Sequence, residues 1–199
     1  MKAQEFRKLV RSSLEPVLAP EGFCAKRTKH SIYWRRTATG IYHVVTPDLS
    51  RWGESYRINV WATHLDLDLA SEWNPDRGGI ATDRAYELSD RGIARSSISF
   101  RCDTQEAFRA DFEQRVKPLL LRYGLPHLRR FKTLRDLIPW IEHPIILAFA
   151  YDAIGKRRTA ERLIRKNAHF LRSSSPDADG RFKAFVQRAV AIAPGVLND

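Results

Sequence analysis

Apolar residues recur at three- and four-residue steps in the first segment of the chain: Phe6, Leu9, Val10, Leu14, Val17 and Leu18. On a 3.6-residue period they form one face of an amphipathic helix over residues 3–19, which Pro20 and Gly22 end. Pro16 falls late in this pattern, so the last turn is expected to kink or separate. The period then changes to two. Residues 31–36 are β-branched and aromatic, Thr39-Gly40 signals a turn, and residues 41–46 read as the hairpin partner. Residues 47–53 read as loop. Over residues 56–64, Ile58, Val60 and Ala62 alternate with Arg57, Asn59, Trp61 and Thr63, the pattern of a half-buried strand. A fourth strand is expected at 96–101, with Ile98 and Phe100 inward.

Residues 65–95 carry Asn74-Pro75-Asp76-Arg77-Gly78-Gly79 and little periodicity beyond a short helical turn at 83–88. A connection of that length in a compact domain is either functional or mobile. From residue 103 onward the chain reads as helical. Asp103 with Glu106 resembles a capping box. Phe108, Phe112, Val116, Leu119, Leu120 and Tyr123 form a stripe that Pro118 should kink and Gly124 should stop. Thr133 with Asp136 opens a shorter helix through Leu134, Leu137, Ile138 and Ile141. Helices at 145–154, 158–172 and 181–193 follow, with a Ser/Pro/Asp/Gly linker at 173–180.

Strands joined by short turns, with helices set apart in sequence, predict an α+β fold: an N-terminal helix, a mostly antiparallel sheet of about four strands, and a packed helix. Residues 1–142 would form this domain, with a helical C-terminal subdomain at 143–199 packed on it. The segment running from Phe6 through Leu9, Leu14, Pro16 and Leu18 to Glu21-Gly22-Phe23 and Ile32-Tyr33-Trp34-Arg35 resembles the bacterial domain of unknown function 4304 family. So does the segment 112–125 followed by Thr133-Leu134-Arg135-Asp136-Leu137. The likeness covers roughly residues 1–142 and implies the same order of helix, antiparallel sheet and helix. It implies no activity, ligand or catalytic residue. Residues 147–164 look like one helical hairpin of tetratricopeptide type. Such repeats need about three copies for stability, so an ordinary αα-hairpin is the plainer reading.

Composition changes the picture chiefly through charge. The 199 residues carry 34 Lys plus Arg against 23 Asp plus Glu, a formal net charge of +11. Residues 122–172 alone hold 12 bases and 4 acids. Such a field concentrates polyanions near the surface, although arginine outnumbers lysine 25 to 9, an excess that GC-rich coding also produces. The two cysteines, Cys24 and Cys102, make no C-x-x-C and are expected as buried or half-buried thiols. No apolar run reaches membrane-spanning length and the N-terminus carries no signal sequence, so a cytoplasmic protein is expected.

The sharpest constellation lies in the 158–172 helix. Arg158, Arg162, Arg165, Lys166, His169 and Arg172 fall within an arc of about 120° opposite Ala160, Leu163, Ile164, Ala168 and Leu171. Lys156 and Arg157 extend the charge at the N-terminal end. A solvated face normally mixes signs, and here only Glu161 intervenes, so these eight residues are anion-binding candidates. A basic amphipathic helix can also lie on a membrane, but this one's apolar side is needed for the core. Lys26, Arg27, Lys29, Tyr33, Trp34, Arg35 and Arg36 form a second candidate group, in which aromatics interleaved with bases suit single-stranded nucleic acid. His64, Asp66 and Asp68, with Glu72 beyond, are weak metal candidates whose spacing matches no closed motif. No hydrolase, phosphate-loop or zinc-protease motif occurs. No cofactor is expected, and catalytic residues are not assigned. The function expected is a non-catalytic binding or interaction module, its partner a protein or small ligand. The alternative is an RNA- or single-stranded-DNA-binding protein using the basic helix. An inhibitor of a basic nuclease is disfavoured, because +11 has the wrong sign for it.

Overall fold

In the first segment, burial of Phe6, Leu9, Val10, Leu14 and Leu18 produces the helix that their spacing predicts, α1 (Ala3–Leu18). Pro16 stays inside it. The separate final turn is a 3-10 turn, Ala19–Glu21, closed by Gly22 at φ 80°. There the Phe23 N–H donates to the Leu18 carbonyl and the Gly22 N–H to that of Ala19, satisfying the carbonyls a helix end leaves open. The computed structural model describes residues 1–27, 31–64, 67, 86–89, 92–94, 99–172 and 180–197.

The described residues form seven strands in one sheet, with all the registered pairings antiparallel. They are β1 (Cys24–Arg27), β2 (Ser31–Arg36), β3 (Ile41–Leu49), β4 (Ser55–His64), β5 (Tyr86–Ser89), β6 (Gly92–Ala94) and β7 (Phe100–Arg101). The order is β1-β2-β3-β4-β5-β6, with β7 also pairing with β4. The α+β reading therefore holds, with more strands than the four expected. β1 was hidden because Cys24-Ala25-Lys26-Arg27 has no apolar alternation. It is an edge strand, and basic residues are what edges tolerate. Residues 86–88, expected as a helical turn, belong to β5, where tertiary pairing overrides a weak local pattern. β3 runs on through Pro47, expected as loop, and Asn59 of β4 donates to the Asp48 carboxylate beyond it.

The helix after β7 begins at Thr104, not Asp103. The Ala107 N–H donates to Thr104 Oγ1 at 3.1 Å, while Asp103 pairs with Arg101 at 3.0 Å. Helices α2 (Gln105–Asp111), α3 (Lys117–Leu119) and α4 (Leu125–Arg129) are joined by π-turns at Phe112–Val116 and Leu120–Gly124 into one run. Pro118 has no N–H, and a widened turn on either side lets the run continue past it. Gly124 does not end the helix. Its φ is −63°, it is buried, and Leu125 and Leu128 prolong the apolar stripe. Phe6, Tyr56, Phe100, Phe108 and Phe112 form the aromatic centre, with Tyr56 ring centroids 5.0–5.6 Å from Phe108, Phe6 and Phe100.

The chain divides into two compact units. One comprises residues 1–38, 42–62 and 84–132, the other 39–41, 63–83 and 133–199. The division drawn at 142 falls inside the second. That unit opens with the capping box read from sequence, Thr133 with Asp136, at the start of α5 (Leu134–Leu137). A 3-10 turn (Ile138–Trp140) follows, then α6 (Pro144–Ala153), α7 (Arg157–Lys166), α8 (His169–Arg172) and α9 (Gly180–Ile192). Ile145, Ile146, Ala148, Phe149, Ala160, Ile164, Leu171, Phe185 and Ala189 are its buried core. No helix among the described residues is long and apolar enough to cross a membrane.

Candidate functional site

α6 and α7 are joined by three residues, and the joint depends on Gly155 at φ 80°, a left-handed position that residues with a Cβ rarely adopt. The apolar positions Ala160 and Ile164 turn inward and set the rotation of α7. The helix predicted over 158–172 is two pieces. Asn167 leaves helical geometry at φ −117°, ψ 25°, and its side chain donates to the Leu163 carbonyl at 2.8 Å, so His169 and Arg172 belong to α8.

Six of the eight basic candidates separate into two groups of three with different work, and Lys156 and His169 stand apart from both. Arg157 donates to the Ala191 carbonyl at 2.6 Å and lies 3.7 Å from Asp152. Arg165 donates to the Pro194 carbonyl at 3.1 Å and pairs with Glu161 at 3.0 Å. Arg172 donates to the Val196 carbonyl at 3.3 Å. All three reach the carbonyls at and just beyond the end of α9, where the helix dipole is negative and acceptors are left over. They form a clasp on the C-terminal segment.

Arg158, Arg162 and Lys166 do something else. They sit one turn apart along α7, are exposed, and make no ion pair or hydrogen bond with another described residue. At 1.5 Å rise per residue, the three charges cover about 12 Å in a line. Lys156 Nζ lies 5.9 Å from the Tyr151 ring centre, and the His169 ring packs 4.2 Å from that of Phe170.

The second candidate group does not form a stacking surface. Tyr33 is 2% exposed and offers no open ring face on which a base could stack. Arg35 donates from Nε to His43 Nδ1 at 3.0 Å and from Nη1 to the Glu21 carbonyl at 2.7 Å, and it covers the Phe23 ring. Trp34 is half-buried against Tyr42, and Arg36 is exposed over that same ring. The alternation that suggested a nucleic-acid strand face instead distributes these residues over both faces of β2. Lys26 and Arg27 lie on edge strand β1, and Lys29 is outside the described residues.

No relative identifies the site. No family model, curated protein or solved structure matches this chain.

Of the metal candidates, His64 is buried, with Nε2 2.9 Å from the Thr39 carbonyl, while Asp66, Asp68 and Glu72 fall outside the described residues. No metal-ligand cluster occurs among the described residues. Two other histidines are structural. His43 Nδ1 accepts from Arg35, which places the ring proton on Nε2, donated to the Phe131 carbonyl at 2.9 Å. Burial lowers the His43 pKa and the Arg35 charge lowers it further, outweighing the Phe131 bond, which favours the charged form. Burial, aided by Arg130, pushes His127 down to about 4. Cys24 is exposed rather than packed, because it begins an edge strand. Cys102 is buried, and that burial pushes its thiol up to about 11, away from thiolate chemistry.

Sequence reasoning missed a recess between the end of α1 and the first hairpin, lined by Glu15, Ala19, Phe23, Ala25 and Tyr33. Its residues come from α1, the 3-10 turn, β1 and β2, with Phe23 between the turn and β1, and share no period, so no sequence signal marks it.

Proposed function

We propose that this protein is a non-catalytic binding module that holds RNA or single-stranded DNA along the outward face of α7. The observation that carries this reading is the line Arg158, Arg162 and Lys166: exposed, evenly spaced, of one sign, and unengaged by any described carboxylate. A nucleic-acid strand offers phosphates at regular intervals, and each one neutralised releases counterions and strengthens binding. The net charge of +11 draws such a polymer toward the surface before contact. Helix α7 can hold this face rigid because Ala160 and Ile164 anchor its other side in the core.

The test is fluorescence anisotropy with labelled RNA and DNA strands of about 20 nucleotides. Wild type should bind at low salt with log K falling as log salt rises, and three phosphate contacts contribute a slope of about −2. The variant R158E/R162E/K166E should lose that part of the slope. The proposal fails if nothing binds at low salt, if affinity ignores salt, or if the triple variant binds like wild type. Equal affinity for a poly-glutamate peptide would point to an acidic protein partner instead.

A further inference from the structure

The recess beside α1 is lined by side chains that the α7 reading does not use. Its volume is about 270 Å³. Ala25 stands opposite Tyr33 in the β1–β2 ladder, so the two side chains share one face of the sheet. Phe23 reaches the same face two residues earlier, delivered by the left-handed turn at Gly22. Ala19 and Ala25 carry the smallest side chains of the lining, which keeps the recess open. Phe23 and Tyr33 are buried and form the walls, while Glu15 from the last turn of α1 stands at the rim.

The lining combines two aromatic rings, a phenolic hydroxyl and one carboxylate. Burial, then the charge of Glu15, raises the Tyr33 pKa, so the phenol keeps its proton and lies within the carboxylate's field. Among the described residues, the ion-pair partner of Glu15 is Arg11, with Nε 3.9 Å from Oε1, beyond hydrogen-bond range, and both side chains are substantially exposed. The carboxylate therefore keeps lone pairs for a ligand. A carboxylate beside aromatic faces favours an organic ammonium and repels carboxylates and phosphates. The overall charge of +11 opposes a cation. That distant field is screened over about 8 Å at physiological salt, whereas contact with Glu15 is not. The volume sits just under the roughly 300–1,000 Å³ of ordinary small-molecule sites, which limits the ligand to about one ring.

We propose that this recess binds a compact amine, its ammonium held by the Glu15 carboxylate and Tyr33 hydroxyl and its apolar body resting on Phe23 and Ala25. The site is independent of the α7 face, and either can fail alone. Benzylamine titrated into the full chain and followed by ligand-observed NMR should bind saturably. Benzyl alcohol and benzoate, of the same size, should bind about tenfold more weakly or less. Glu15→Gln should weaken benzylamine about tenfold and leave benzyl alcohol unchanged. Ala25→Leu should exclude all three with an unaltered circular dichroism spectrum, and Ala19→Leu provides the same blockade from the helix side. Benzylamine that does not saturate, binds no better than the alcohol, or survives Glu15→Gln and either filled variant overturns the proposal.

Discussion

Acid should destabilise this protein through His127, and the size of the effect follows from its environment. His127 is 7% exposed, its ring edge-on to Phe131 with centroids 5.1 Å apart. Burial and the Arg130 charge hold its pKa at about 4, against 6.5 when solvated. The folded state therefore binds fewer protons than the unfolded state between those values, and the neutral ring's contribution is complete above pH 6.5. It is lost as pH falls from 6.5 toward 4 and then stops changing. The difference of about 2.5 units is worth about 3 kcal/mol in full, of which about 2 kcal/mol disappears between about pH 7.5 and about pH 5. His43 acts in the same direction, since a proton on Nδ1 would face the Arg35 Nε–H it now accepts. Urea denaturation of wild type and His127→Phe isolates the first term. Phe preserves the edge-on contact and cannot titrate. Between about pH 7.5 and about pH 5, wild type should lose about 2 kcal/mol more than the variant, the changes in other groups cancelling in the comparison. Parallel pH profiles would refute the reasoning.

Other measurements probe other parts of the molecule. Replacing Arg157, Arg165 and Arg172 by Ala should speed amide exchange at the end of α9 and cost about 1 kcal/mol, while leaving the salt slope of nucleic-acid binding intact. A slope that falls with them would return these arginines to the binding face. The Tyr56 hydroxyl is buried without a hydrogen-bond partner among the described residues, so Tyr56→Phe should raise stability by about 1 kcal/mol or leave it unchanged. A marked loss in thermal denaturation would show that the hydroxyl is satisfied. With a thiol-reactive chromophore, Cys24 should react in the folded protein and Cys102 only on unfolding, and two equally fast thiols would contradict the burial at Cys102.

What the sequence determined by itself was whatever rests on local period and local chemistry. The spacing from Phe6 to Leu18 specifies α1, alternation over 56–64 specifies β4, and Thr133 with Asp136 specifies a capping box, since each interaction closes within a few residues. The excess of positive charge on α7 was legible for the same reason, because helical spacing converts directly into a face. Tertiary structure decided everything that needed a partner distant in the chain. It drew Cys24–Arg27 into the sheet as β1, and it continued the helix through Gly124 to bury Leu125 and Leu128. It also divided the arginines. Arg157, Arg165 and Arg172 find carbonyls 24–34 residues away and become a clasp, whereas Arg158, Arg162 and Lys166 remain outward. The sheet-side aromatics were misread because Tyr33 and Arg35 face Glu21, His43 and the end of α1, groups whose proximity no period in the chain encodes. A side chain's direction follows from its own backbone, but its use depends on what the fold brings opposite it.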